Sequence, residues 1–391
     1  MIRDRLQHDD VERFTEFANL FRPELDIAEL TSFLEEWAGG AVSDISQFEH
    51  GQVSSVFGFE VRDLFRASSD DLVAAAVSPS SSPDPGEDTP VEPGKYVARF
   101  VAKENGGAVT KDRFIAPRAA AVGLPTPRLL ASGEVPMAVG NLPDDERSKH
   151  SADSYLLAYA ICDLMPGEHM GELEDEGRRH LIPAAVEAMV KISEIDISDT
   201  TGYGWMNDEG NGQRESWSEY LTEETFSREP GSFYDRRRDW FDDRGGFLEA
   251  DVFEHFSERM MSALEALPEV GRSVVHIDFG YDNTLVIGDE VSAVLDWDNS
   301  IIGDHLYDGA RTELYASNLP LKQLFVEQYA SIGRDVPGLD ERWLVCQLHV
   351  GLQALKWYGN SKAEPAYHWM KARLLNVMGE GPAVGRHPDS F

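Results

Sequence analysis

The sequence predicts an α+β chain of two lobes, a small strand-rich one followed by a larger, mostly helical one. Three observations carry this. Short alternating runs dominate up to about residue 166, apolar residues recur at helical spacing beyond Gly167, and a strand pair set among acids interrupts the helical part at residues 284–296. A length of 391 residues gives material for a sizeable core. The lobes divide at 1–160 and 161–391, with a connecting strand near 155–166.

In chain order, "DIAELTSFLEEWAGG" places Ile27, Leu30, Phe33, Leu34 and Trp37 on one helical face and ends on Gly-Gly. "DISQFEHGQVSSVFGFEVRDL" alternates as two strands about the turn-like "HGQVSS". Residues 67–94 are rich in Ser, Pro and acid and read as a surface insertion. "KYVARFVAK" resumes as a strand, "TKDRFIAPRAAAV" is helical despite Pro117, and "GLPTPRLLASGE" leads into another strand. A second polar loop, 140–153, precedes the apolar strand "YLLAYAICDLMPG". "RRHLIPAAVEAMVKISEI" then carries Leu181, Ala185, Ala188, Ile192 and Ile195 on one face. Residues 252–266, 310–331 and 340–377 are also periodic, while 198–245, rich in Gly, Asp, Arg and aromatics, reads as irregular.

Lys and Arg total 35 against 70 Asp and Glu, a formal net charge of −35. The acid is spread along the chain, whereas a docking site for a basic partner needs only a local patch. Such self-repulsion is screened where salt is concentrated, the Debye length being about 3 Å at 1 M, so the composition predicts a salt-rich, halophilic host. No basic stripe exists to neutralise phosphates, which argues against nucleic acid. No apolar run approaches the roughly 18–20 residues of a membrane helix, and "MIRDRLQHDDVERF" lacks a secretory pattern. Cys162 and Cys346 are too few for a disulfide framework or zinc site, so a cytoplasmic location is expected.

The stretch "HIDFGYDNTLVIGDEVSAVLDWDNSIIGDHLYDGA" (276–310) carries the chemistry. "TLVI" and "VSAVL" flank Gly288-Asp289, a hairpin turn signal, which brings Asn283 and Asp296 to the two ends of the pair; Asp278 lies on the preceding loop. Taken singly, each is an ordinary turn residue. Together they form a minimum set for phosphoryl transfer: one Asp to orient the attacking hydroxyl and accept its proton, and an Asn and a second Asp to hold Mg²⁺ against nucleotide phosphates.

"HIDFGYDNTLV", "VLDWD" and "GDHLYDGA" resemble the signature of the aminoglycoside phosphotransferase family, its hygromycin-directed members in particular, and that family shares the protein-kinase fold. "VTKDRFIAPRAAAVGLPTPRLLASGE", "DISDTTGYGW" and "LHVGLQALKWY" extend the likeness over most of the chain outside 1–25 and the two acidic loops. The resemblance implies a bilobal kinase-like fold and transfer from ATP or GTP, with Mg²⁺, to a hydroxyl of a small molecule. It makes Asp278 the catalytic-loop aspartate and Asn283 and Asp296 the metal ligands. Gly51, Ser54 and Ser55 fall in the phosphate-covering turn. Arg99 takes the place of the protein-kinase lysine, and Asp112 that of the helix glutamate that steadies it, with a shorter reach. Ala160, Ile161 and Cys162 fall at the adenine-binding hinge. His276 would hydrogen-bond beneath the loop, with Asp304 and Asp308 bracing it. Ile277 departs from the family, which usually has Gly there. Trp205, Trp217, Trp357 and Tyr358 are acceptor-pocket candidates or, for the tryptophans, core residues. The resemblance leaves the acceptor open between an aminoglycoside antibiotic and a metabolite such as a sugar or amino alcohol. A nucleotide-binding regulator without turnover is the remaining alternative, and the oligomeric state is not encoded in any readable pattern.

Overall fold

The computed structural model describes residues 22–48, 54–64, 91–102, 107–140, 155–226, 247–316, 319–360 and 363–384. Most of the Ser/Pro/acid insertion and of the 140–153 loop therefore lie outside the described residues, as does Gly51. The chain divides into two compact units. One holds the described chain up to Ala116 with Pro127–Met165; the other holds Pro117–Thr126 and the chain from Pro166 onward.

The first unit begins with helix α1 (Ile27–Ala38). Asp26 caps it by accepting from the N–H groups of Ala28 and Glu29 at 2.9 and 3.0 Å, and Gly39 ends it at φ +59°, a conformation that costs glycine little. Leu30 and Leu34 are fully buried, with Phe33 and Trp37 packed beside them. Ile27, in the first turn, is exposed instead. Five strands follow: β1 (Gly40–Gln47), β2 (Ser55–Leu64), β3 (Gly94–Ala102), β4 (Leu129–Met137) and β5 (Tyr155–Asp163). They form one antiparallel sheet in the order β1-β2-β3-β5-β4. The two-residue period of β3 turns Tyr96, Ala98 and Phe100 into the α1-side core. Val101 instead joins Val109, Ala158 and Ala160 in a small apolar cluster. Arg99 lies on the Val101 side of the strand, and Val109 belongs to helix α2 (Gly107–Ala121).

The second unit contains β6 (Glu168–His169), α3 (Asp175–His180), α4 (Ile182–Ile192), β7 (Tyr203–Met206), β8 (Gly212–Arg214), α5 (Trp217–Phe226) and α6 (Ala250–Ala266). After these come β9 (Ser273–Val275), β10 (Thr284–Ile287), β11 (Glu290–Val294), β12 (Ile301–Gly303), α7 (Tyr307–Tyr315), α8 (Leu321–Ser331), α9 (Leu339–Asn360) and α10 (Glu364–Val377). Strands β11-β10-β6 form one sheet and β8-β7-β12-β9 another. Leu181, Ala185, Ala188, Ile192 and Ile195 are all buried, as their spacing predicts. The region expected to be irregular holds β7, β8 and α5; β7 pairs with β8 on one side and, on the other, with β12, about 100 residues away in sequence. Each of the long periodic segments is two helices; Pro320, which has no N–H to donate, stands at the first break. Helix α7 is pressed closely onto its neighbours: a Cβ on Gly309 would lie 2.5 Å from the Phe325 ring and 2.9 Å from Trp343. Among the described residues no helix is long and apolar enough to cross a membrane.

Two buried histidines tie this unit together. His305 Nδ1 lies 2.7 Å from the Tyr329 hydroxyl, and His349 Nδ1 lies 2.8 Å from that of Tyr307. Burial, helped by nearby cations, pushes both imidazoles down to about 3. Protons then bind the unfolded chain, whose histidines titrate near 6.5, more readily than the folded one. Their contribution to stability is complete above about pH 6.5 and is lost as pH falls towards 3. The drop in urea midpoint between pH 7 and pH 5 is therefore expected to be smaller in a His305→Gln/His349→Gln chain than in the native one.

Candidate active site

Strand β9 stops at Val275, and the chain runs through His276, Ile277 and Asp278 into a short 3₁₀ turn, Tyr281–Asn283, that feeds β10. Hairpin β10–β11 pairs Thr284 with Val294, and the N–H of Leu295 donates to the carbonyl of Asn283 at 2.9 Å. Asn283 and Asp296 therefore flank the open end of one hairpin, as the turn signal at Gly288 implies. The Asn283 amide reaches back to the loop. Its Nδ2 donates to the backbone carbonyl of Asp278 at 2.9 Å and to Asp278 Oδ2 at 3.3 Å. Its Oδ1 is thus the atom that can turn to a cation.

The loop is held from beneath by one carboxylate. Asp308, on α7, accepts the N–H of His276 at Oδ2 and the N–H of Ile277 at Oδ1, both at 2.8 Å. Burial pushes the Asp308 carboxyl above its ordinary pKa, against the lowering effect of His276 and of these N–H bonds. His276 is fully buried; its Nε2 lies 2.9 Å from the Leu295 carbonyl, and its ring packs 4.6 Å from Trp297. It ties the Asp278 loop to the residue before Asp296 and is placed as a brace. Ile277 sits at φ +65° and Asp296 at φ +62°. A β-branched residue in the left-handed region costs about 1–3 kcal/mol, which explains why glycine suits position 277; here the Asp308 bonds to the two successive N–H groups hold the strained backbone.

Asp304 does not brace the loop itself. It is almost completely buried in a two-pronged ion pair, with Arg342 Nε 2.8 Å from Oδ2 and Nη2 2.6 Å from Oδ1, and it accepts the N–H of Leu306 at 3.0 Å. It anchors the start of α7, and the contact with the loop falls to Asp308 one turn later. Arg311 was missed by sequence reasoning. Its Nη2 lies 3.2 Å from Asp278 Oδ1, and its guanidinium lies over the Tyr315 ring at 5.7 Å. The available signal was its position three residues beyond Asp308, on the same helical face, just past the end of "GDHLYDGA".

In the other unit Arg99 and Asp112 meet at 3.1 Å, so the shorter acid does reach the cation. Two expectations are corrected. Ala160, Ile161 and Cys162 cannot present a free backbone edge to adenine, because β5 is an interior strand paired to Arg99, Ala98 and Val97 on one side and to Ser132, Ala131 and Leu129 on the other. The strand ends at Asp163, but the N–H of Leu164 still donates to the Lys95 carbonyl at 3.1 Å, so the Leu164 carbonyl and the Met165 backbone are the first groups beyond this pairing. The Cys162 thiol is pushed up to about 12 by burial and the nearby Asp112 charge. Ser55 is fully buried and donates its hydroxyl to the Pro23 carbonyl, so it does not face a phosphate; Ser54 is buried beside it. Ser55→Ala is accordingly expected to leave the KM for nucleotide within about twofold while lowering stability by about 1 kcal/mol, as kinetics and urea melts will show. Of the aromatic candidates, Trp217 is buried against Tyr220, Trp205 donates its indole N–H to Glu224 at 2.7 Å, and Trp357 is exposed.

Chemically, the loop presents a carboxylate whose oxygens are engaged by Arg311 and Asn283, able to accept a further hydrogen bond from a hydroxyl. Asn283 Oδ1 and the Asp296 carboxylate are hard oxygen donors. Among the described residues no group of three or more His, Cys, Asp or Glu side chains forms a metal cage. A two-donor set fits Mg²⁺, which keeps waters and substrate phosphates as its other ligands.

The profile of a phosphotransferase enzyme family matches residues 89–331. The chain is 26% identical over 289 residues to the hygromycin-B 4-O-kinase of Escherichia coli, covering 74% of this chain and 67% of that protein. The crystal structure of the aminoglycoside phosphotransferase APH(4)-Ia superposes with a TM-score of 0.63 at 22% identity, covering 92% of this chain and all of that one. A thermostable mutant of the same enzyme, in ternary complex with AMP-PNP and hygromycin B, gives 0.61 at 20% identity over 91% of this chain and 99% of that one. These likenesses establish the fold.

Proposed function

The chain belongs to the phosphotransferase enzyme family, and on that premise we propose how its residues share the transfer of the γ-phosphoryl group from ATP to the hydroxyl of a small molecule. It is an ATP-dependent small-molecule kinase; the residue roles and the acceptor are the proposal. The observation that carries it is the Asp278 loop: a carboxylate set by Asn283 and Arg311 on a backbone braced by Asp308. Asp278 accepts a hydrogen bond from the acceptor hydroxyl, orients it and takes its proton as the oxygen bonds to phosphorus and the bond to ADP breaks. Asn283 Oδ1 and Asp296 hold Mg²⁺, which supplies charge neutralisation at the phosphates when bound. Arg99 answers phosphate charge with a planar fork, steadied by Asp112. The Leu164 carbonyl and the Met165 backbone, just past the end of β5, take the adenine edge, the Leu164 N–H being engaged by the Lys95 carbonyl.

The acceptor is a polyhydroxylated small molecule. The kinase relative directs attention to aminoglycosides, and sugars and amino alcohols are the other class to test. Dependence on ATP fits a cytoplasmic enzyme, and the net charge of −35 fits one working in concentrated salt. The Arg99–Asp112 pair and the anchored Ile277 both support turnover over a silent nucleotide-binding role. The test is ADP release from Mg-ATP in multimolar KCl against a panel of aminoglycosides, sugars and amino alcohols. Acceptor-dependent ADP is the expected result; absence of nucleotide binding at every salt concentration refutes the reading.

A further inference from the structure

Helix α7 makes two different contacts with the loop. Asp308 holds its backbone, and Arg311, three residues on, holds the side chain of Asp278. The helix is itself anchored at both ends. Arg342 grips Asp304 at the start, and at the finish Arg373 donates to the carbonyls of Glu313 and Leu314 at 3.1 and 2.9 Å. The Arg311 guanidinium is further confined by the Tyr315 ring, itself stacked on Trp369 at 6.1 Å. Asp278 Oδ1 thus meets a cation whose own position is fixed, while Oδ2 is met by Asn283.

We propose that Arg311 is the positioning residue of this kinase: it selects the Asp278 rotamer in which the carboxylate meets the acceptor hydroxyl. The inference rests on the functional reading above and deepens it. A carboxylate held from both oxygens loses little rotational freedom when the acceptor arrives, and misplacement by about 1 Å costs on the order of a hundredfold in rate. Because Arg311 works through Asp278, its loss reduces kcat and leaves nucleotide binding alone.

The experiment is a cycle of wild type, Arg311→Gln, Asp278→Asn and the double variant, with Arg311→Lys alongside, measured by steady-state kinetics and by thermal melting in the same salt. Arg311→Gln is expected to lower kcat by about 10- to 100-fold with the KM for ATP changed by less than about twofold. Arg311→Lys recovers part of the loss, and Arg311→Gln adds nothing in the Asp278→Asn background. The melting shifts of the two single variants are expected to be non-additive. An unchanged kcat in a folded Arg311→Gln enzyme overturns the proposal, as does a loss that appears in KM for ATP instead. Wild-type enzyme without acceptor turnover would instead count against the proposed function. The melting cycle then still judges the pair, and additive shifts overturn it.

Discussion

Asp278→Asn is expected to cut acceptor-dependent ADP formation by about 10²- to 10⁴-fold while Mg-ATP still binds. The substitution keeps the shape of the side chain, and the backbone brace from Asp308 is untouched because it acts on His276 and Ile277. What changes is chemistry. The amide cannot take the hydroxyl proton, and its NH₂ group turns a donor towards Arg311 or Asn283, both of which donate to the native carboxylate. Steady-state turnover, paired with nucleotide titration by calorimetry, separates the two effects. Turnover within a few-fold of wild type would remove Asp278 from the mechanism.

Asp304→Ala is expected to destabilise the chain by about 3–5 kcal/mol, a fall in melting temperature of roughly 4–6 °C, although Asp304 touches neither the Asp278 loop nor the hairpin. The physical reason is an orphaned charge. Arg342 is buried too, and without Asp304 its guanidinium keeps, among the described residues, weaker partners, the Pro337 carbonyl at 3.2 Å and His305 at 3.0 Å. The start of α7 also loses the Asp304 bond to the Leu306 N–H, so Asp308 and Arg311 lose their anchor and kcat falls as well. Replacing both partners, Asp304→Leu with Arg342→Met, is expected to regain much of the stability, since no buried charge is left unpaired. Concentrated KCl will do little for the single variant, because salt screens exposed charges far more than buried ones. A shift below about 1 kcal/mol by differential scanning calorimetry would refute this account.

The local features of this protein were legible in its sequence. The helix Ile27–Ala38 follows from its apolar period and the Gly-Gly stop, and the hairpin about Gly288 follows from its turn dipeptide and two apolar runs. Asp278, Asn283 and Asp296 share one short stretch, so their spacing alone pointed to phosphoryl transfer. Tertiary structure decided the rest, because it depends on partners distant in sequence. Ser55 reads as a phosphate ligand until Pro23, 32 residues earlier, accepts its hydroxyl. Ala160–Cys162 read as a hinge until a second neighbour, β4, occupies the other edge of their strand. Asp304 and Asp308 look equivalent in "GDHLYDGA", yet one faces Arg342 from α9 and the other faces two loop N–H groups. Arg311 carries no motif, and only the packing of α7 against the loop puts its guanidinium on Asp278. Sequence patterns report the period and turn chemistry of neighbouring residues, whereas the direction in which a polar side chain finds its partner is set when distant elements pack.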